Sequence, residues 1–142
     1  MRFAGTVLYV DSVPPVLDFY ARAFGLEPNH IDLDVQMPGR RPEERYAFAT
    51  FRIPGGELHL ATHALGALFM PEYERPPAGG PLGVEIAFYV EDVPAAFQRA
   101  VDAGATAISE PRETPWGQTV SYVRSIEGTF VGICSPPAPS EQ

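Results

Sequence analysis

Two chemically active side chains, Glu57 and His59, lie two positions apart in a segment that alternates polar and apolar residues. Because successive side chains of a β-strand point to opposite faces, Leu58 and Leu60 face the core and Glu57 and His59 share the other face. The same alternation places Glu85, in a second strand-like segment, on a face away from the core. A carboxylate beside an imidazole can hydrogen-bond to it, contact a ligand, or bind a cation.

Aromatic residues are predicted on the same faces. Such a surface suits flat, apolar or cationic ligands, which bind through stacking and cation–π contacts. The carboxylates of Glu57 and Glu85 favour a cation, whereas Arg124 can pair with Glu85 or hold an anionic group by a bidentate contact. The alternative is that half of these aromatic side chains seal an interface between modules or subunits. The aromatic residues concerned are Tyr9, Phe51, Tyr89, Trp116, Tyr122 and Phe130.

Composition excludes several classes of protein. The 142 residues include 18 acidic and ten basic side chains, a formal net charge of −8, and every basic residue is arginine. We therefore expect no nucleic-acid partner, and Schiff-base or P-loop lysine chemistry is excluded. The one cysteine, Cys134, cannot form an intrachain disulfide, and its sequence neighbours indicate a core or cleft residue rather than a nucleophile.

Hydropathy predicts a chain that folds without a membrane. Hydrophobic residues make up 45% of the sequence, enough for a core in one domain or in two small modules. No apolar stretch approaches the roughly 20 residues that span a bilayer, and the N-terminal residues lack a signal-peptide pattern. We expect a cytoplasmic protein with no membrane partner.

An internal repeat organises the chain. Residues 8–14 resemble residues 88–94, and both pass from an apolar strand through an acidic turn into a helix with proline in its first turn. Residues 50–60 resemble residues 123–133, and both predict a β-hairpin with a glycine-containing turn. Each module is therefore a strand, a helix and further strands that include a hairpin.

The repeat also sets the predicted helix ends and domain boundaries. Helices are expected over residues 14–24 and 94–103, and they stop at Gly25 and Gly104, where glycine can adopt the left-handed conformation. The predicted divisions are a first module at 1–62, a Pro/Gly-rich connector at 63–83 that forms an arm or a lid, a second module at 84–135, and a flexible tail at 136–142.

Several motifs carry a family resemblance across nearly the whole chain. They are TVLYV at 6–10, LDFY at 17–20 followed by FGL at 24–26, EIAFYV at 85–90, PWG at 115–117 and YVR at 122–124. The pattern resembles the vicinal oxygen chelate superfamily of glyoxalases, extradiol dioxygenases and bleomycin-resistance proteins, and is closest to the metal-free bleomycin-resistance-like branch. This resemblance implies an α+β fold in which two βαβββ modules form an open, barrel-like sheet with a concave cleft, usually within a homodimer.

The resemblance also provides a test for a metal. Enzymes of the superfamily hold a metal at four inward positions, which fall on Gly5, His59, Glu85 and Gly132 of this chain. The two glycines offer no side-chain ligand. One alternative is a divalent metal held by His59, Glu85 and Glu57. Another is that His59 and Glu85 form a buried hydrogen-bonded pair, and a third is that both contact a ligand directly.

The leading hypothesis is a binding protein that sequesters an aromatic or cationic natural product without a metal, a cofactor or a catalytic residue. The alternative is a metal-dependent glyoxalase-like lyase or isomerase, or a dioxygenase, with the metal on His59, Glu85 and Glu57. His30 and His63 lie in polar segments and are expected to be solvated. The predicted ligand-binding residues are Tyr9, Phe51, Glu57, His59, Glu85, Tyr89, Trp116, Tyr122, Arg124 and Phe130.

Overall fold

A computed structural model describes residues 1–77 and 82–139 and divides the chain into two compact units. Unit 1 comprises Met1–Ala21 and Gly25–Pro76, and unit 2 comprises Arg22–Phe24 together with the chain from Pro77 onward. The elements in chain order are β1 (Thr6–Val10), α1 (Val13–Phe24), β2 (Pro28–Asp32), β3 (Phe48–Ile53), β4 (Gly56–Thr62), α2 (His63–Phe69), β5 (Glu85–Tyr89), α3 (Val93–Asp102), β6 (Thr106–Glu113), β7 (Thr119–Arg124) and β8 (Phe130–Cys134).

Each unit contains one four-stranded mixed sheet, and the two sheets have the same topology. The strand orders are β1-β4-β3-β2 and β5-β8-β7-β6. In both sheets the first strand runs parallel to the last and the other neighbours are antiparallel. The predicted α+β fold with two βαβββ modules is therefore confirmed.

The helices begin and end close to the predicted positions. Proline stands at the first turn of both α1 and α3, where its missing N–H leaves no helical hydrogen bond unmade. Gly25 ends α1 in the left-handed conformation, with φ of 66°, and its N–H donates to the carbonyl of Ala21. Asp92 caps α3 by accepting a hydrogen bond from the N–H of Ala95. No helix in the described ranges is both long and apolar enough to cross a membrane.

One face of each sheet packs against α1 in unit 1 or α3 in unit 2, and it is called here the helix-packed face. In unit 1, Leu58 and Leu60 are buried on that face, and the ring of Phe51 lies 6.5 Å from that of Tyr20 on α1. In unit 2, α3 packs against β6, β7 and β8, and the buried residues of this face are Val123, Val131 and Ile133. The other side of each sheet, called the opposite face, carries most of the predicted site residues.

The opposite face of unit 1 has a small core of its own. Tyr46, Ala61 and Leu65 are buried there, and Tyr9 and Phe48 pack against them. Leu65 belongs to α2, so residues predicted to be a connector instead supply a helix that covers part of this sheet. The contact is close, because a Cβ at Gly66 would lie 2.7 Å from Cε1 of Tyr9.

Candidate functional site

A groove of about 380 Å³ lies on the opposite face of unit 2. The register explains its lining, because Glu85 on β5 stands beside Phe130 on β8, and residues paired across neighbouring strands share a face. The residues that line this groove, called the unit 2 groove, are Gly83, Val84, Glu85, Ile108, Tyr122 and Phe130. It therefore combines one carboxylate with aromatic and aliphatic side chains.

Gly132 on β8 lies beside two of the residues that line the unit 2 groove. A Cβ at this position would lie 2.7 Å from Oε1 of Glu85 and 3.4 Å from Cε1 of Tyr122. The carboxylate and the edge of the phenol ring therefore both lie over the glycine. Burial, together with the negative charge of Glu85, raises the pKa of Tyr122, so its hydroxyl stays protonated and can donate a hydrogen bond at neutral pH.

Arg124 lies on the same face of unit 2, beside the groove. It pairs with Phe130 in the register of β7 and β8. Its guanidinium carbon stands 5.1 Å from the centroid of the Phe130 ring, a cation–π distance. A positive charge therefore already flanks the Phe130 end of the groove.

Besides Arg124, two predicted ligand-binding residues of unit 2 lie outside the groove lining. Tyr89, at the end of β5, and Trp116, in the turn before β7, are each 66% exposed. The indole N–H of Trp116 donates to Oε1 of Gln118 at 2.8 Å, which holds the ring in the turn. The prediction missed Ile108, whose strand β6 contains two register irregularities that obscure its alternation.

In unit 1, His59 forms a pair with Glu57, whereas the pair considered from the sequence joined His59 to Glu85. Oε2 of Glu57 lies 2.8 Å from Nε2 of His59, and the side chains are 35% and 18% exposed. The ring of Phe48 packs edge-to-face on the imidazole with centroids 5.4 Å apart. Glu57 thus engages Nε2 of His59.

The prediction that Phe51 lines the same face as Glu57 and His59 is wrong. A two-residue turn joins β3 to β4, and the resulting register pairs Phe51 with Leu58 on the helix-packed face, where Phe51 is 0% exposed. Phe48, three residues earlier, pairs with Ala61 and is the aromatic residue on the opposite face. Counting outward from the Pro54–Gly55 turn in the sequence would have found this.

Tyr9 is on the predicted face but does not line an open surface. Its ring lies 4.9 Å from the ring of Tyr73, and α2 covers it through Gly66. Tyr9 therefore contributes to the second core of unit 1. The alternation of β1 predicts the correct face for Tyr9. The helix that covers this side chain, α2, lies more than fifty residues away in the chain and is not visible in that local pattern.

The residues present do not fit the metal centre that the resemblance implies. At Gly5, a Cβ would lie 2.4 Å from the carbonyl oxygen of Glu57, so this position has no room for a ligand side chain. Nε2 of His59 is hydrogen-bonded to Glu57, and the space above Gly132 is filled by the carboxylate of Glu85. Among the described residues, no group of three or more His, Cys, Asp or Glu side chains could hold a metal ion.

His63 is not a solvated loop residue, contrary to expectation. It begins α2, and its Nδ1 lies 2.5 Å from the hydroxyl of Tyr73, while its Nε2 lies 3.7 Å from Oδ1 of Asp11. Arg75 in turn donates to Asp11 at 2.7 Å. These contacts fasten the segment after α2 to the end of β1. His30, on β2, is exposed as expected.

The His63 cluster predicts a pH dependence of stability. Burial lowers the pKa of His63 below its ordinary 6.5, with Asp11 opposing the shift and Arg75 reinforcing it. The folded state therefore binds fewer protons than the unfolded state as the pH falls through this value, and stability falls with it. His63→Gln should reduce the loss of melting temperature between about pH 7.5 and pH 5.5. The same variant at the exposed His30 should leave that loss unchanged, and equal behaviour of the two variants would contradict the assignment.

These features define a class of protein: two topologically identical βαβββ units, with a groove on the sheet of the second. Residues 2–131 match the family described as the Glyoxalase/Bleomycin resistance protein/Dioxygenase superfamily. The chain belongs to this superfamily.

Curated relatives extend over most of the chain. An uncharacterized protein of Mycobacterium tuberculosis is 32% identical over 132 residues, which are 91% of this chain and 71% of that protein. An uncharacterized protein of Mycobacterium bovis has the same identity over the same length and is covered to 80%. Both matches support membership of one family.

Solved structures share the fold. A glyoxalase-related enzyme from Fulvimarina pelagi is 19% identical with a TM-score of 0.73, covering 96% of this chain and 88% of that one. A glyoxalase/bleomycin resistance protein/dioxygenase family enzyme from Burkholderia phytofirmans is 17% identical with a TM-score of 0.73, covering 95% and 98%. At these identities the likeness is one of fold.

Proposed function

We propose that this protein binds a small aromatic or cationic molecule in the unit 2 groove, without a metal ion, and sequesters it as the bleomycin-resistance-like branch of the superfamily implies. The observation that carries the proposal is the groove itself, in which Glu85 is the one charged side chain among Val84, Ile108, Tyr122 and Phe130. Pockets of this composition bind ligands by apolar contact and use a few polar groups for orientation.

The electrostatics of the chain favour a cationic ligand. The formal net charge is −8, which raises the local concentration of cations near the surface. Within the groove the carboxylate of Glu85 supplies a negative charge next to the rings of Tyr122 and Phe130. A flat cation can therefore combine stacking with a charge-assisted hydrogen bond.

Sequestration requires no catalytic residue, because bound ligand is removed from its target by mass action. The donor set supports this function over the metal-dependent alternative. Two of the four positions that hold the metal in superfamily enzymes are Gly5 and Gly132, and Nε2 of His59 is engaged by Glu57. The homodimer implied by the resemblance is part of the proposal, and light scattering of the purified protein tests it.

Metal analysis and ligand binding test the proposed function together. Protein purified without chelator should hold no stoichiometric divalent metal, and should bind proflavine or acridine equally well with and without EDTA. The recovered ligand should be chemically unchanged. The Phe130→Ala variant should bind about threefold to tenfold more weakly, because a stacked aromatic contact is lost.

A particular result would establish the alternative instead. Stoichiometric metal that is lost in both the His59→Ala and the Glu85→Ala variants, but retained in His30→Ala, would overturn metal-independent binding. His30 is the matched control because it lies on the exposed edge strand β2.

A further inference from the structure

We infer that Glu85, Gly132 and Tyr122 form a recognition notch for a planar cation that carries N–H donors, and that Gly132 determines this specificity by leaving room for the carboxylate. This inference rests on the proposed function, since it names the chemical class of the ligand taken by the same groove. The name "notch" is used below for these three residues only.

The position of the Glu85 carboxylate depends on the missing side chain at Gly132. Oε1 of Glu85 lies 2.7 Å from the point where a Cβ at Gly132 would be, closer than real Cβ contacts allow. Any side chain at this position would therefore displace the carboxylate. With glycine, the carboxylate lies low against β8, beside the ring of Tyr122.

The carboxylate is available to a ligand. Within residues 1–77 and 82–139, no hydrogen bond or ion pair joins Glu85 to another protein group, and the residue is exposed. Unit 1 uses the corresponding positions differently. There the residue before β1 is Gly5, a Cβ at Gly5 would lie 3.2 Å from Nε2 of His59, and the imidazole is hydrogen-bonded to Glu57. The unit 1 pair is satisfied within the protein, whereas the notch presents an acceptor to the groove.

The surroundings select a planar cation over other cations. Arg124 already fills a cation–π position over the ring of Phe130, whereas the carboxylate of Glu85 attracts a ligand cation. Beside the carboxylate, the ring of Tyr122 offers a surface on which a delocalised cation can stack. An N–H donor in the plane of such a cation meets the carboxylate oxygen in a charge-assisted hydrogen bond, which a quaternary ammonium group cannot make.

Three probes separate these chemistries. Proflavine is a planar cation with N–H donors, acridine is a similar ring system that is neutral at mildly alkaline pH, and phenyltrimethylammonium is a cation without N–H donors. Calorimetric titration of the full chain should show proflavine binding about tenfold more tightly than either of the others.

A double-mutant cycle tests the role of Gly132. Gly132→Ala should weaken proflavine binding about tenfold, because the added methyl displaces the carboxylate, and should change acridine binding little. In the Glu85→Ala background the same Gly132→Ala change should have almost no effect, since no carboxylate remains to be displaced. Glu91→Gln, at an exposed acidic residue of unit 2, should bind as the unmodified protein does.

The outcomes separate the inference from the proposed function. Equal affinity for proflavine and acridine, or additive effects of the two substitutions, would overturn the notch and leave aromatic binding in place. No binding of either ring system would overturn both. Because alanine is compatible with the extended backbone of β8, melting temperatures should show that every variant is folded.

Discussion

Replacing Phe51 by alanine is expected to lower the free energy of unfolding by about 3–5 kcal/mol and to leave the affinity of the folded protein for aromatic ligands unchanged. The reason is its position. Phe51 is 0% exposed on the helix-packed face, and its ring approaches that of Tyr20, which is also fully buried. Removing the ring loses apolar burial and leaves a cavity between β3 and α1.

Phe130→Ala is the comparison variant that separates stability from ligand binding, because the Phe130 ring lies on the groove face. Phe130 is partly exposed and lines the unit 2 groove, so its loss should reduce ligand affinity at a smaller cost in stability. Urea denaturation gives the free energies and calorimetric titration gives the affinities. If Phe51→Ala weakened binding while its denaturation midpoint stayed unchanged, the assignment of Phe51 to the core would be refuted.

Introducing a single methyl group at Gly5 should cost about 3 kcal/mol, the upper end of the range for overpacking. The added Cβ would lie 2.4 Å from the carbonyl oxygen of Glu57 on the neighbouring strand. A backbone oxygen cannot move aside as a flexible side chain can, so β1 must shift against β4. The Gly5→Ala variant should show the effect as a lower midpoint of urea denaturation.

Gly56→Ala is the matched control. Its added methyl would have nothing nearer than the ring of Phe3 at 3.5 Å, an ordinary contact, so its midpoint should stay close to that of the unmodified protein. Identical midpoints for the two variants would show that the strands tolerate a side chain at Gly5. For the same reason Gly5→His, which puts a donor side chain at one of the four positions implied by the resemblance, should destabilise the protein and create no metal site.

Short sequence patterns predicted the features that depend on neighbouring residues, such as the face of a strand residue or the end of a helix. Alternation in the hairpin strands gave the common face of Glu57 and His59, and the glycine stop gave the end of α1 at Gly25. The repeated pattern gave two sheets of the same topology. The shared face and the helix end are each determined within a dozen residues, whereas the second sheet follows from the repeat along the chain.

The errors concern contacts that a local pattern does not contain. Phe51 was assigned to the wrong face because strand register depends on the length of the turn, and one residue reverses every side chain. The burial of Tyr9 and the contacts of His63 depend on α2 and Tyr73, which reach back to β1 from a segment rich in proline and glycine. Ile108 in the groove lies on an irregular strand whose alternation is broken.

The two sheets share one topology, but their opposite faces differ in how far they are covered, which decides where the sequence can be varied. In unit 1 the opposite face is filled by α2 and the residues around Tyr46, so substitutions there disturb a packed interior. In unit 2 the corresponding face carries exposed side chains, including Val84, Glu85 and Ile108. Randomising those three positions should yield libraries in which most members still fold. New ligand preferences can be selected from them without first stabilising the scaffold.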